Sequence, residues 1–309
     1  MAAIIVLGSL NMDIAALGPR LPQPGETLMG SHFHTAPGGK GANQAYAAAK
    51  LGGAGSTAML GRVGDDDFGR QMIANLLAVG CNAEGVRKLP GASGVALILI
   101  AESGQNSIVV VPGANDQFSA ADIAADAQLL RGARYALLQL EVPLPTTLAA
   151  ARTARAAGLE VILDPAPAPE HLPPELLQSV NVLTPNETEA SLLVGRKAAD
   201  VSVDEARTIA AELQSRGVGH VIIKLGAKGC LLLEGDTATH VPAPRVKAVD
   251  TTGAGDNFNA AFAVACSEGA SRLDACQFAV HAAAISVTRM GCQASVPSRT
   301  ELDAYLRQT

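Results

Sequence analysis

A glycine-rich turn in the last third of the chain combines backbone donors with a carboxylate. Residues 249–262 read VDTTGAGDNFNAAF, so Gly253, Ala254 and Gly255 come directly before Asp256. Such small residues let backbone N–H groups converge on an anion, and the Ala-rich segment that follows predicts a helix that begins there. A carboxylate at that point can accept a proton from a hydroxyl that attacks a phosphoryl group. The segment therefore predicts an anion hole and a general base together.

A second glycine-rich segment, Gly38–Asn43, reads GGKGAN. It differs from the common P-loop, because Gly41 stands where a Ser or Thr would hold magnesium. Lys40 and Asn43 are three residues apart and would share one face at the start of a helix. This spacing leaves two interpretations open: a set of donors for a polyhydroxylated ligand, or a plain turn before a helix.

Short apolar runs alternate with segments of helical periodicity along most of the chain. The runs are Ile4–Leu7, Ala136–Leu140, Val161–Leu163, Val180–Leu183 and Val221–Leu225. The helical segments include Ala42–Leu51, Thr146–Ala157 and Asp204–Arg216. Continuously hydrophobic strands that alternate with helices indicate a mostly parallel sheet covered on both faces. The sequence therefore predicts an α/β fold of three layers.

Polar residues follow several of these runs, and parallel sheets bind ligands beyond the carboxyl ends of their strands. These residues are Asn11, Asp13, Glu141, Asp164 and Asn186. Each has a structural alternative: an Asx turn for Asn11 and Asp13, and a solvated loop charge for Glu141. Asn186 and Glu189 are one helical turn apart and could reach a hydrated magnesium or a phosphate, or cap the next helix, or do both.

Two stretches interrupt the alternation of strands and helices. Gly94–Ile100 and Ser107–Val111 flank a turn at Gly104 and predict a β-hairpin, and Gly25–Ala36 is also non-helical. They predict a small sheet that stands off the main body, either a lid over the site or an edge hairpin. With no interdomain linker, residues 1–309 are expected to form a single domain.

Composition excludes several classes of protein. The chain has 309 residues, 48% of them hydrophobic, and a net charge of −6 with no tryptophan, which argues against a nucleic-acid partner. No apolar run is long enough to span a bilayer, so a membrane partner is not expected. Five cysteines without a CxxC pair predict free thiols in the cytoplasm. The histidines lack zinc-site spacing, and His281 is expected to be a satisfied, partly buried side chain. The acidic run at residues 65–67 is expected to begin a helix.

The combination of motifs resembles the PfkB family of carbohydrate kinases over essentially the whole chain. Gly39–Gly64 and Asp250–Phe262 are similar to the two signature regions of that family. Further segments resemble its ribose-phosphorylating members, in their order and approximate spacing: Gly8–Asp13, Pro24–Thr27, Gly38–Gln44, Gly113–Asn115 and Gln139–Glu141.

The resemblance implies an ATP-dependent kinase that converts D-ribose to ribose 5-phosphate, with Asp256 as the base that takes the O5 proton. The residues it implies for the ribose hydroxyls are Asn11, Asp13, Gly39, Lys40, Asn43 and Glu141. For ATP they are Asn186, Lys224, Gly226 and the loop of Gly253, Ala254 and Gly255. It also implies that segments of about 14–36 and 94–112 form a β-lid, and that a homodimer forms through this lid.

Two metal ions are implied as well. Magnesium would bridge the ATP phosphates near Glu189, without direct contact. A monovalent cation, potassium by resemblance, would lie behind the anion loop, with ligands from Asp250, Thr252, Ser286, Arg289, Gly291 and Ser295, several of them through backbone carbonyls.

The chain departs from the family pattern at two places. Asn257 replaces a common Thr after the base, and Val280 stands near the expected adenine position, where Asn or His is usual, with His281 one place later. Two alternatives therefore stay open: a family kinase for a nucleoside, fructose or a deoxy sugar, and a non-catalytic sugar-binding regulator on the same scaffold. The scarcity of aromatic residues counts against a nucleoside site.

Overall fold

The computed structural model of the protein describes residues 2–197 and 201–308. Its strands are β1 (Ile4–Leu7), β2 (Asn11–Gly18), β3 (His32–Gly38), β4 (Thr57–Gly64), β5 (Asn82–Leu89), β6 (Gly94–Ala101), β7 (Asn106–Val111), β8 (Tyr135–Leu138), β9 (Glu160–Leu163), β10 (Val182–Leu183), β11 (His220–Lys224), β12 (Cys230–Glu234) and β13 (Thr237–Val241). Its helices are α1 (Lys40–Gly52), α2 (Asp67–Ala78), α3 (Ala120–Asp126), α4 (Leu144–Ala156), α5 (Pro174–Gln178), α6 (Glu187–Leu193), α7 (Val203–Ser215), α8 (Ala254–Ser267), α9 (Arg272–Ser286) and α10 (Arg299–Leu306). None of the helices in these two ranges is long and apolar enough to cross a bilayer.

The larger sheet is mostly parallel, as the sequence predicted. Within the described residues it has nine strands, in the order β13-β12-β11-β10-β9-β8-β1-β4-β5. The strands from β11 to β5 pair in parallel, and β12 and β13 add an antiparallel edge. The carboxyl ends of the parallel strands therefore meet at one edge of the sheet.

Helices cover both faces of this sheet. In β1, Ile4 and Val6 pack into one buried cluster, with residues of α1, α8 and α9, whereas Ile5 and Leu7 pack into a second cluster, with residues of α4 and α7. Because successive strand side chains point to opposite faces, a strand buried on both sides needs an unbroken apolar run. The expected three-layer architecture is confirmed.

Two strands are shorter than their apolar runs. The run Val180–Leu183 contributes only β10, because the N–H group of Val180 donates to the carbonyl of Leu177 in the turn after α5. The run Ala136–Leu140 stops pairing at the end of β8, so Gln139 lies beyond the strand. The prediction of strands at both places was right, and their bounds were too long.

A small sheet, separate from the main one, has the order β3-β2-β6-β7 within the described chain. The predicted hairpin is confirmed: β6 and β7 pair antiparallel, and Gly104 has a φ of 84° in the turn. In this sheet β2 pairs with β6 from Asn11 opposite Gly94 onward. Asn11 and Asp13 therefore belong to the small sheet, and neither lies in a turn at the edge of the large one.

The acidic run at residues 65–67 begins α2, as expected. Asp66 is the N-cap residue, and its carboxylate accepts hydrogen bonds from the backbone of Gly69 and Ser93. These bonds, together with one from the Ser93 hydroxyl, outweigh burial and lower the pKa of Asp66. The run therefore has a structural role in opening the helix.

Candidate active site

A cavity of about 780 Å³ opens at the carboxyl edge of the large sheet, between the ends of β9 and β11 and the start of α8. Such a position is where parallel α/β sheets bind ligands. Residues from distant parts of the sequence meet there: Lys40, Asn186, Glu189, Lys224, Gly226, Gly253, Ala254, Gly255 and Asp256. Every residue that the resemblance implied for ATP therefore lines one cavity.

The turn before α8 presents backbone donors to this cavity. Gly253 is the N-cap residue of α8 and has a left-handed conformation, with a φ of 73°. A Cβ atom at that position would collide with the Sγ atom of Cys292, so the turn requires glycine for both reasons. The N–H group of Ala254 donates to the carbonyl of Thr251 at 3.2 Å, and the positive end of the helix dipole lies at the cavity, where it suits an anion.

Asp256 lies in the first turn of α8 and is buried, with 5% of its surface exposed. Each of its carboxylate oxygens accepts an amide N–H: Oδ2 from Asn43 Nδ2 at 3.0 Å and Oδ1 from Gln44 Nε2 at 3.0 Å. Burial raises the pKa of Asp256 to about 6, with nearby Lys40 acting in the opposite direction. A carboxyl group whose pKa lies near neutrality is suited to general-base work.

A second buried carboxylate, Asp164, stands beside the first. Its Oδ2 atom accepts from Gln44 Nε2 at 3.1 Å, and its Oδ1 atom pairs with Lys224 Nζ at 3.0 Å. The sequence marked Asp164 as a polar residue after a strand but assigned it no role. Its position directly after β9, at the ligand-binding edge, was the available signal.

The Glu141 side chain connects three segments of the chain, one of which begins at Lys40. Its Oε2 atom accepts hydrogen bonds from Ser9 Oγ at 2.6 Å, from the backbone N–H of Lys40 at 3.0 Å and from Asn11 Nδ2 at 3.4 Å. The alternative of a solvated loop charge is therefore wrong. Glu141 connects the loop after β8 to the small sheet and to the start of α1.

The side-chain amide of Asn115 sets the orientation of Asn11. It donates from Nδ2 to Asn11 Oδ1 at 2.8 Å, and it exchanges hydrogen bonds with both backbone groups of Leu10. Asn11 consequently turns its own donor toward Glu141. The sequence places Asn115 in the Gly113–Asn115 motif, but that motif alone did not predict a role for it in the site.

The charged groups around Lys40 influence one another's pKa values. Burial raises the pKa of Asp13 to about 7, with added repulsion from Glu141 and Asp256. Burial alone would lower the pKa of Lys40, but the surrounding carboxylates, led by Asp256 and Asp164, together raise it above its usual value. Lys40 is therefore a cation that stabilises this group of acids, as Lys224 does for Asp164.

Asn186 and Glu189 form a capping box at the start of α6. Asn186 Oδ1 accepts from the N–H of Glu189, and Glu189 Oε2 accepts from the N–H of Asn186, both at 2.8 Å. The capping alternative is confirmed, and both residues also line the cavity. Burial raises the pKa of Glu189, with Lys224 acting against it.

One wall of the cavity is apolar. Val280 in α9 lines it with Ala283, Ala284 and Val287. The ring of His281 interacts through Nδ1 with the carbonyl of Gln277 at 2.7 Å, and its edge meets the ring of Tyr305. The expectation that His281 is a satisfied side chain is confirmed, and Val280 is the residue of this pair that faces the cavity.

Two segments behind the turn come together through Asp250. Its Oδ1 atom accepts from the N–H of Thr252 and its Oδ2 atom from the N–H of Gly291, both at 2.9 Å. Ser286 and Ser295, which flank Gly291 in the sequence, are both buried. The hydroxyl of each donates to the backbone carbonyl of the residue three positions earlier. The guanidinium of Arg289 is positively charged and pairs with Glu301. Of this residue, only the backbone carbonyl could therefore serve the potassium site that the resemblance implied.

Comparisons with known proteins agree on one family. Residues 1–299 match the family described as pfkB family carbohydrate kinase. A ribokinase from Haemophilus influenzae is 38% identical over 98% of each chain, and a deoxyribokinase from Salmonella typhi is 40% identical over 98% of each. The structure of Arabidopsis thaliana ribokinase complexed with ribose and ATP is 37% identical, covers 99% of each chain and superposes with a TM-score of 0.92.

Proposed function

The chain belongs to the pfkB family of carbohydrate kinases, and from that premise we propose that it transfers the γ-phosphoryl group of ATP to O5 of D-ribose. The observation that carries the proposal is the buried Asp256, held by two amide donors beside the glycine turn that begins α8. We also propose a cytoplasmic location, because its five cysteines are free thiols.

In the proposed reaction, Asp256 accepts the proton of the O5 hydroxyl as O5 attacks the γ-phosphorus. The O5–phosphorus bond forms, the bond from phosphorus to the β–γ bridging oxygen breaks, and ADP leaves with that electron pair. Negative charge spreads over the equatorial oxygens of the transferred group, and the proposed anion hole of Gly253, Ala254 and Gly255 stabilises it. For Ala254 this requires its N–H group to leave the carbonyl of Thr251. The proton on Asp256 then passes to water.

The proposed ribose site comprises Asn11, Asp13, Gly39, Lys40, Asn43 and Glu141. Hydrogen bonds connect Glu141 to Asn11 and to Lys40, and Asn43 to Asp256, which supports one continuous polar surface. Buried polar groups of this kind reject a ligand that lacks the matching hydroxyl, because they are then left without a partner. Sugar selectivity follows from that penalty.

The proposed ATP site is the cavity lined by Asn186, Lys224, Gly226 and the glycine turn. The described residues contain no group of three or more His, Cys, Asp or Glu side chains that could hold a metal. This fits magnesium, which usually keeps several waters and binds through substrate phosphates and one or two carboxylates. Glu189 is the proposed carboxylate, acting through water. When bound, the ion neutralises phosphate charge.

Potassium fits the oxygen-rich set behind the glycine turn. The set joins a carboxylate and hydroxyls with backbone carbonyls, which are the ligands that hard cations prefer. Its proposed members are Asp250, Thr252, Ser286, Arg289, Gly291 and Ser295. The bonds of Asp250 to the N–H groups of Thr252 and Gly291 support it, since they hold the two segments side by side. A cation there would stiffen the turn.

A second substrate, 2-deoxyribose, has specific support from the deoxyribokinase relative. An assay of ADP release with ribose, 2-deoxyribose, fructose and adenosine tests both proposals. We expect the highest kcat/KM with ribose. A preference for 2-deoxyribose would replace the first proposal with the second, and a preference for fructose or adenosine would contradict both. ATP-independent sugar binding without turnover would indicate the non-catalytic alternative.

We further propose one kinase domain over residues 1–309, with the small sheet as a lid that also pairs two subunits. The lid would come from segments of about 14–36 and 94–112. Its edge strand β7 supports pairing, because Ile108, Val109, Val110 and Val111 are each 47–58% exposed. An exposed apolar edge strand normally needs a partner. Sedimentation at micromolar concentration should give a dimer, and a monomer would contradict this proposal.

A further inference from the structure

Gln44 occupies an unusual position between two buried acids. It lies in α1, directly after Asn43, and its side chain is fully buried. Its single amide nitrogen is 3.0 Å from Oδ1 of Asp256 and 3.1 Å from Oδ2 of Asp164. A side-chain amide carries two N–H groups, so one nitrogen can serve both carboxylates at once.

The orientation of this amide is held by another glutamine. Gln139, just beyond β8, donates from Nε2 to Gln44 Oε1 at 2.7 Å. If the Gln44 amide turned over, its oxygen would face both carboxylates and its nitrogen would face a donor. The same construction recurs next to it, because Gln293 Nε2 donates to Asn43 Oδ1 at 3.0 Å while Asn43 Nδ2 donates to Asp256.

We propose that Gln44 is a positioning residue for phosphoryl transfer: its locked amide holds Asp256 and Asp164 side by side as carboxylates and keeps Asp256 able to accept a proton. The inference rests on the proposed role of Asp256 as the base. It adds Gln44, which is fully buried and does not line the cavity, and a second acid, Asp164, whose negative charge lies close to the base.

Electrostatics explain why such a residue is needed. The ionisable groups that face Asp256 are Lys40 at the start of α1, Asp164 after β9, Asp13 on β2 and Cys292 beside the glycine turn. Two of these are acids whose charge opposes a second negative charge. A hydrogen bond donated to a carboxylate favours its ionised form, so loss of the Gln44 donor should raise the proton affinity of Asp256.

The test is the Gln44→Met variant, which keeps side-chain length and removes the donor. We expect the acid limb of the kcat/KM profile, and the titration of Asp256 followed by 13C NMR of labelled aspartate carboxyls, to move upward by about one to two pH units. The Asp256→Asn variant assigns the signal. Gln214→Met, which changes a remote glutamine in α7, serves as the control and should leave both curves in place.

A second variant keeps the proposal testable if Gln44→Met does not fold. Gln139→Met leaves the Gln44 donors in place but removes the group that orients them, so a smaller upward shift is expected. Curves that stay within about 0.3 pH unit of wild type, even with a lower kcat, would overturn the proposal. The NMR titration needs no turnover, so it decides this inference even if the wild type fails to phosphorylate any sugar.

Discussion

The two ends of the candidate site are built differently. Around Asp256 and Glu141, polar side chains hold one another through bonds that cross more than 100 residues of sequence. Across the cavity, the wall at Val280 is apolar, and the donors at Gly253 belong to the backbone. The first end depends on particular side chains, whereas the second depends on shape and on the path of the chain.

This difference has a physical cause. A buried polar atom loses its hydration, so each one needs a partner in the protein, and removal of one partner leaves the other unsatisfied. An apolar wall has no such requirement and tolerates changes of similar volume. Side-chain substitutions should therefore affect chemistry and sugar selectivity at the first end. At the second end, changes in the apolar wall should affect nucleotide affinity, and changes in the backbone turn should affect chemistry.

The largest effect is expected for Asp256→Asn. Loss of the base should lower kcat by about 10²–10⁴-fold, because the O5 proton then has no acceptor. Calorimetry should still detect binding of ATP and of ribose. Asp236→Asn, in an exposed turn, is the matched control. Turnover within a few-fold of wild type would remove Asp256 from the proposed mechanism.

Gly253→Ala tests the backbone at the nucleotide end. The new Cβ atom meets the Sγ atom of Cys292 and the residue must keep a positive φ, so kcat should fall by about 10²-fold as the donors move. Gly235→Ala is a control with a φ of 57° and open space around the Cβ position. Adding Cys292→Ala should restore part of the activity. If the double variant is no better than the single one, the collision is not the cause.

Val280→Ala should have a smaller effect, confined to the nucleotide. Removing two methyl groups from the apolar wall should raise the KM for ATP by about three- to tenfold and leave the KM for ribose unchanged. Initial rates with each substrate varied in turn provide the measurement. An equal change in both KM values would mean that the two ends of the site are not as separate as their construction indicates.

Asp13→Asn should change stability with pH. Because burial raises the pKa of Asp13 from 3.8 to about 7, the folded protein loses stability as pH rises from 3.8 through 7, and asparagine avoids this loss. The variant should be more stable by about 1–2 kcal/mol at pH 8 and equal to wild type below pH 3.8. Urea unfolding at several pH values measures it. A variant that is less stable than wild type at pH 8 would contradict a raised pKa for Asp13.

Much of the fold could be predicted because its signals are local. An apolar run such as Ile4–Leu7 shows a strand buried on both faces, and Gly104 between two β-rich runs shows a hairpin. The bounds were less accurate, as at the end of β8, because they depend on pairing with strands that are separate in the sequence. The residue pattern within one segment does not show which other strands it will pair with.

The candidate site was foreseen where a motif places donors close together in sequence, as at Gly253 and Asp256. Asp164, Gln44 and Asn115 received no role in advance, because each acts through residues that are distant along the chain. The sequence around a glutamine in an Ala-rich helix looks the same whether its side chain faces solvent, another helix or a pair of acids.

Residue order alone established the α/β class, the family resemblance and the presence of a carboxylate after a glycine turn, because periodicity and short-range spacing encode these features. Only the folded chain decided that Asp256 is buried, which amides hold it and that Asp164 shares one of them. Burial and proton affinity depend on what surrounds a group in space, and the bonds around these two acids join four widely separated parts of the chain.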